Sequence, residues 1–312
     1  MPDDDVAVVI LNYNGERLLP ECLGALAAQT LAPAEIVIAD NGSRDGSLAL
    51  LRAEHPGVRV LELGRNLGFA GGANRGVAVT SAPWVCVLNS DATPAPDWLA
   101  QLTAAPRDER TWALGSVLVS AATGRIESAG DQYSPDGYAY KLLRDRPLGD
   151  LPARPYPVFA APGAAPVFRR DVFDALGGYA ERFFLYYEDV DLAFRAVLAG
   201  HHALLVPSAR VTHRLGATTK SLARGRFYVA RNSMWCAVRC LPDAAPRRLA
   251  RRWAVELRSN RPRRLAPVEI AGRLAGLAGL PRALHERRAI QARRRAAPDE
   301  VDALLRTPDA IG

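Results

Sequence analysis

Apolar and polar positions alternate in blocks along the first hundred residues. VAVVIL at 6–11 is a short apolar run that reads as a buried strand, and it leads through NYNG into ERLLPECLGALAAQ, whose apolar residues recur at helical spacing. EIVIAD at 35–40 predicts a second strand, followed by the turn residues NGSRDGS and another helix. VRVLEL at 58–63 predicts a third strand, a helix follows over 70–79, and WVCVLN at 84–89 predicts a fourth. Strands alternating with helices of this length imply an α/β fold, a mostly parallel sheet with helices on both faces. Such sheets bind ligands at the carboxyl ends of their strands. Here those ends read NYNG, ADNGS, GRNLGFAGG and NSDA, all small polar residues, glycines or acids, which points to one binding rim.

From 112 to 165 the pattern loosens into shorter strands and Pro/Gly-rich loops. PVFRRDVFDALGGY (166–179) reads as a strand end, a helix and a glycine stop; DVDLAFRAVLAG (189–200) is an amphipathic helix ending at Gly200; ALLVP (203–207) is a further strand. After Leu241-Pro242 the chain turns to Arg-rich helices broken by prolines. This predicts a main domain over 1–240 and a helical C-terminal region over 241–312.

Charge sharpens that boundary. The chain of 312 residues carries a net +7, yet 241–312 holds 16 arginines against 8 acids, so the whole excess belongs to the C-terminal region. Lysine occurs only at Lys141 and Lys220, which is read as coding bias. The four cysteines are too few and too scattered for a disulfide framework and read as small buried residues, Cys236 and Cys240 included, in a reducing compartment. The acidic start, with six apolar residues before Asn12, does not read as a secretory signal, and no apolar stretch approaches the ~20 residues of a membrane span. These features predict a cytoplasmic protein.

The stretch FFLYYEDVDLAFRA at 183–196 sets three carboxylates, Glu188, Asp189 and Asp191, beside the greasiest part of the chain. Burying an unpaired carboxylate costs several kcal/mol or shifts its pKa strongly. The acids therefore either cap a helix or stand at the mouth of a site. Asp191 and Arg195, four apart, predict an intrahelical ion pair. In NSDA, Asp91 either caps the helix near Pro96–Leu102 or binds a divalent cation that bridges two phosphates. Asp40, in Asp40-Asn41-Gly42-Ser43, either builds a turn or accepts from a pyrimidine or ribose, and both can hold together. Glycines at 66–74 sit where a helix begins and can admit an anion, without the spacing of the dinucleotide fingerprint. Arg65, just before them, can pair with a phosphate or lie solvated.

Taken in order, VVILNYNG, ADNGSRDGS, GRNLGFAGGAN, LNSDA and FFLYYEDVDLAFR resemble family 2 glycosyltransferases of the GT-A fold, a mixed Rossmann-like sheet flanked by helices. FYVARNSMWCAVRCLP is similar to the subgroup with bacterial rhamnosyltransferases and galactofuranosyltransferases; the likeness spans about residues 6–242. The resemblance implies a nucleotide-sugar donor held by Asn12, Asn14, Asp40, Asn41, Arg65, Asn66, Gly68, Asn74, Asn89, Ser90 and Gly163. It implies Mg²⁺ or Mn²⁺ on Asp91, with His213 completing the site; a hydrogen-bonded structural role for His213 stands beside that one. Asn89 replaces the first acid of the family's usual Asp-x-Asp. Asp189 is the implied catalytic base of an inverting transfer, with Glu188 second, and Tyr187, Arg231 and Asn232 are implied acceptor or phosphate contacts.

The implied reaction moves a sugar, L-rhamnose from dTDP-rhamnose in first place, to a cell-surface glycan or polyprenyl-linked acceptor. UDP-galactofuranose or another UDP-sugar is the alternative donor. A nucleotidyltransferase and a non-catalytic glycan- or nucleotide-binding scaffold are the rivals from other classes. The basic amphipathic C-terminal region either lies on an anionic membrane surface at the inner face of the cell membrane or packs on the domain. No nucleic-acid motif is present.

Overall fold

The computed structural model describes residues 4–135, 137–214, 216, 222–242 and 267–305. Its centre is one mixed sheet. Strands β1 (Val6–Asn12), β2 (Glu35–Asp40), β3 (Arg59–Glu62) and β4 (Trp84–Asn89) are parallel, in the order β3-β2-β1-β4. β1 and β4 are apolar at nearly every position because both their faces are covered, and each fully buried Val, Ile or Leu contributes about 1.5–3 kcal/mol. Helices α1 (Leu19–Ala27), α2 (Ser47–Glu54) and α3 (Gly68–Val77) connect these strands. Pro20 stands in the first turn of α1, where its missing N–H costs nothing.

Beyond β4 the sheet changes sense. β5 (Ala92–Pro94) and α4 (Trp98–Thr103) lead to β6 (Thr111–Ser120), a ten-residue strand where the sequence pattern predicts only short ones. β7 (Ile126–Ser128) pairs with β6, while β8 (Asp131–Tyr133) and β9 (Ala139–Lys141) form a separate two-stranded ribbon. β10 (Tyr156–Val158) and β11 (Val167–Arg169) follow, then α5 (Arg170–Ala175), α6 (Glu188–Leu198) and β12 (His202–His213). The remaining order is β10-β12-β6-β11-β4. β12 pairs parallel with β6 through an irregularity between Val206 and Arg210, and its far end carries His213 across from Ala92 of β5.

α7 (Leu222–Cys240), α8 (Pro267–Ala278), α9 (Leu280–Ala292) and α10 (Pro298–Leu304) complete the described chain. The described part of 241–312 is helical and packs on the rest. Ala283, Ala296, Val301 and Leu305 belong to the same buried cluster as Val9, Trp112 and Phe194. The stretch ARRWAVEL of the predicted basic region lies outside the described residues. All four cysteines are buried and none is in a disulfide.

Candidate active site

β1 and β2 run parallel in register, with Asn12 opposite Asp40, so their ends bring two side chains together. Asn12 Nδ2 donates to Asp40 Oδ2 at 2.8 Å and to Ser43 Oγ at 3.1 Å. Asp40 Oδ1 accepts from the backbone N–H groups of Gly42 (3.1 Å) and Ser43 (2.9 Å), so the predicted turn is built around this carboxylate. Asn14 donates its N–H to Ser43 Oγ at 2.8 Å and accepts from the Arg44 N–H at 2.7 Å. Arg65 is exposed beside this turn and Asn89 is half-buried at the end of β4. Asn12 Oδ1 and Ser90 Oγ are buried without a hydrogen-bond partner among the described residues. A buried, unsatisfied polar atom costs about 1–3 kcal/mol, and such atoms at a strand-end rim fit a ligand.

Other residues predicted to meet the donor are committed to the protein. Asn41 Nδ2 donates to the Gly68 carbonyl at 2.9 Å and its Oδ1 accepts from the Leu67 N–H at 2.8 Å; Asn66 Oδ1 accepts from the Gly68 N–H at 2.8 Å. Asn74 makes a reciprocal pair with the backbone of Tyr179, at 2.8 and 2.9 Å. Gly68, with φ of +76°, seats the chain that precedes α6: a Cβ there would stand 2.3 Å from the Phe184 carbonyl oxygen. Gly163 makes room for a catalytic candidate: a Cβ there would stand 2.7 Å from Asp189 Oδ2.

Asp91 does not cap a helix; Asp97 occupies the N-cap position of α4. Asp91 instead faces His213, whose Nε2 lies 3.2 Å from Asp91 Oδ1, poorly aligned for a hydrogen bond. The other ring nitrogen, Nδ1, is 2.8 Å from Glu127 Oε2, and Lys141 Nζ is 2.6 Å from Glu127 Oε1. Burial alone would lower the His213 pKa, but the neighbouring carboxylates of Asp91 and Glu127 prevail and push it up to about 9. Two ligand atoms of Asp91 and His213 thus converge, with Glu127 fixing the ring from behind, a donor set that suits a divalent cation. Among the described residues no group of three or more His, Cys, Asp or Glu side chains could hold an ion alone. Substrate phosphate oxygens would then complete the coordination, the usual situation for Mg²⁺.

The three acids of the 183–196 stretch separate by environment. Residues 184, 186 and 187 all have positive φ, 64°, 67° and 68°, so the chain enters α6 through a loop that L-residues rarely adopt. Asn232, fully buried, donates to the carbonyls of Phe183 (2.9 Å), Leu185 (2.9 Å) and Tyr186 (2.7 Å). Arg231 donates to the Phe183 carbonyl at 2.9 Å and to Asn232 Oδ1 at 2.9 Å. The two residues predicted to touch phosphate or acceptor therefore hold the loop. The Asn232 amide is spent on it.

Glu188 is buried, and its Oε2 has no hydrogen-bond partner among the described residues. Burial, then the Asp189 charge, raises its pKa well above the carboxylate range. Asp189 is half-buried, accepts from the Val190 N–H at 2.8 Å, and has its pKa raised by burial. Asp191 is fully buried between Arg195 (2.8 Å, the predicted pair) and Arg239 (2.5 Å). Arg239 continues to Glu286 of α9 at 3.0 Å. Tyr187 is buried and packs in the core.

Glu127, Lys141, Ser43 and Asp131 join the site without having been predicted. Asp131 stands opposite Lys141 in the β8–β9 ribbon, and burial, with the Asp189 charge, pushes its pKa up to about 7. Lys141 did leave a signal, as one of two lysines in an arginine-rich chain. A cavity of about 620 Å³, lined in part by Leu198, His201, Arg239 and Ile290, lies toward the C-terminal end of α6, behind the Asp191–Arg239 pair.

Residues 7–177 match the family described as Glycosyl transferase family 2. The N-acetylglucosaminyl-diphospho-decaprenol L-rhamnosyltransferase of Mycobacterium tuberculosis is 31% identical over 253 residues, covering 69% of this chain and 78% of that protein. The succinoglycan biosynthesis protein ExoO of Rhizobium meliloti is 30% identical over 208 residues, covering 66% of this chain and 55% of that protein. Among solved structures, GalNAc-T7 with UDP, GalNAc and Mn²⁺ superposes with a TM-score of 0.62 at 18% identity, over 79% of this chain and 51% of that one. S. aureus TarS 1-349 in complex with UDP-GlcNAc gives 0.60 at 15% identity, over 96% and 90%.

Proposed function

Because this chain belongs to family 2 of the glycosyltransferases and has their GT-A fold, we propose that it is an inverting enzyme that transfers L-rhamnose from dTDP-rhamnose to a polyprenyl-linked or cell-surface glycan acceptor. The observation that carries the catalytic part is the contrast between two adjacent acids. Glu188 is sealed, with burial raising its pKa, while Asp189 is half-buried and seated beside Gly163. A sugar hydroxyl is a poor nucleophile until its proton is taken, and a carboxylate with a raised pKa is suited to taking it. Asp189 accepts that proton as the acceptor oxygen attacks the anomeric carbon in line and the nucleoside diphosphate departs.

Asn12, Asn14 and Asp40, tied together through Ser43, form the nucleoside end of the donor site, with Arg65, Asn89 and Ser90 along the same rim. Asp91 and His213 would hold Mg²⁺ or Mn²⁺, which when bound neutralises charge on the departing diphosphate. Glu127 keeps His213 Nε2 directed at Asp91. Among the described residues no helix is long and apolar enough to cross a membrane. A lipid-linked acceptor would bring the protein to the inner face of the cell membrane as a peripheral protein.

Rhamnose is preferred because the mycobacterial relative bears that activity in its name; UDP-galactofuranose is the second reading. A nucleotidyltransferase would leave the Glu188–Asp189 contrast without a task, and a binding scaffold would bind donor without turnover. The test is donor hydrolysis and transfer with a panel of UDP-, dTDP- and GDP-sugars and Mn²⁺ or Mg²⁺, beside Asp189→Asn. Release of one nucleoside diphosphate, lost in the variant while donor still binds, supports the reading. Donor binding without turnover on any lipid-linked acceptor would sink it.

A further inference from the structure

α8 is apolar on two opposite sides. Gly272 and Gly276 face α7: a Cβ on Gly272 would stand 2.5 Å from the Phe227 carbonyl oxygen, and one on Gly276 3.1 Å from Met234 Sδ. The other side carries Ile270, Leu274 and Leu277, which are 46%, 61% and 43% exposed. Their spacing of four and three residues makes a stripe along the helix, and a helix apolar all round calls for cover on both sides. Leu284 of α9 is also exposed, by 52%. Isolated exposed leucines need no explanation, but a run of them on helices packed together does.

Charge says what the cover is. Arginines flank the stripe: Arg273 lies one helical turn from Ile270 and from Leu277, and Arg288 one turn after Leu284. Residues 267–292 hold four arginines against two glutamates. One of those glutamates, Glu286, is already bound to Arg182, Arg239 and Arg282. A second copy of this chain would set arginine against arginine. An anionic bilayer presents acyl chains to the leucines and phosphates to the guanidinium groups, whose alkyl stems can lie along the apolar face.

We propose that the outward face of α8, extended by Leu284, docks on the surface of an anionic lipid bilayer. This rests on the reading of a lipid-linked acceptor and adds where the enzyme meets the lipid. α7 joins the two functions. Its Phe227 and Met234 pack on α8, while its Arg231 and Asn232 clamp the loop that carries Asp189. Docking through α8 therefore holds the base one helix away from the surface that bears the acceptor.

The test is co-sedimentation of the full chain with vesicles of phosphatidylglycerol and phosphatidylcholine, or of phosphatidylcholine alone. The wild type is expected on the anionic vesicles, more weakly as salt rises, and little on the neutral ones. The triple variant I270D/L274D/L277D should bind at least tenfold more weakly, with unchanged Tm and nucleotide affinity, since these side chains are exposed. R273E/R288E should also weaken binding. Equal binding by wild type and triple variant, absence of wild-type binding to anionic vesicles, or indifference to lipid charge would each overturn the proposal. So would dimerisation in sedimentation velocity that the triple variant abolishes, which would give the face to a second copy. Transfer to a short water-soluble acceptor separates the readings: if it persists in the triple variant while docking fails, the enzyme assignment stands alone.

Discussion

The two sides of the candidate site are held by opposite means. The donor side is local. Asn12, Asn14, Asp40 and Ser43 come from the ends of neighbouring parallel strands, and their hydrogen bonds stay within those two loops. The base side is held from a distance. The loop at 183–187, with three residues at positive φ, keeps its shape because Asn232, more than forty residues later, donates to three of its carbonyls. Behind it, Asp191 of α6 is tied through Arg239 to Glu286 of α9. The donor rim should therefore tolerate damage to the C-terminal helices, and the base should not.

The sharpest break in that comparison is Asp189→Asn, which should lower kcat by about 10²–10⁴ while nucleotide affinity holds, as read by steady-state kinetics beside calorimetric titration. Next comes Asn232→Ala, remote from the reacting atoms. Releasing the loop should reduce kcat by about 10²-fold and lower Tm, with donor affinity kept. A loss of donor affinity equal to the loss of kcat would mean that the two sides are not held separately.

Glu127→Gln leaves His213 in place but removes the charge that fixes its ring. It should weaken Mn²⁺ binding by about 10–100-fold, followed by electron paramagnetic resonance with nucleoside diphosphate present and no acceptor. In a His213→Ala background the same change should add little, since Glu127 acts through the ring. Asp40→Asn should cost about tenfold in nucleotide affinity and little in kcat, because it loosens only the rim.

The smallest effect is one of pH on the metal-free protein. His213 has a folded pKa of about 9 against 6.5 ordinarily, so its contribution to stability is complete below pH 6.5 and is lost as pH rises through 9. The Tm difference between wild type and His213→Gln should shrink over that interval. A difference that grows with pH would remove the Asp91–His213–Glu127 arrangement from the account.

Much of the donor side was legible because strand ends are written in short contiguous words. ADNGS names both the turn and the acid at its centre, and parallel pairing then sets Asp40 beside Asn12. The limit shows at Asn41, Asn66 and Asn74. An asparagine that clamps a backbone and one that meets a ligand have the same letter, and only the hydrogen-bond partners tell them apart. β6 was missed where TWALGSVLVS is interrupted by Gly115, which packs against Pro162. Glu127 and Lys141 were missed because no local pattern links them to His213, 86 and 72 positions later.

By itself the sequence determined the alternating sheet, the polar strand ends, the three acids after an aromatic run and the basic, apolar C-terminal helices. These follow from periodicity and side-chain chemistry, which act between near neighbours. Only the tertiary structure decided which acid is half-buried and which is sealed, that Arg231 and Asn232 brace a loop, and that α8 keeps one apolar face in solvent. Those outcomes depend on burial and on partners far away in the chain, and a carboxylate's pKa or an amide's role is set by what surrounds it.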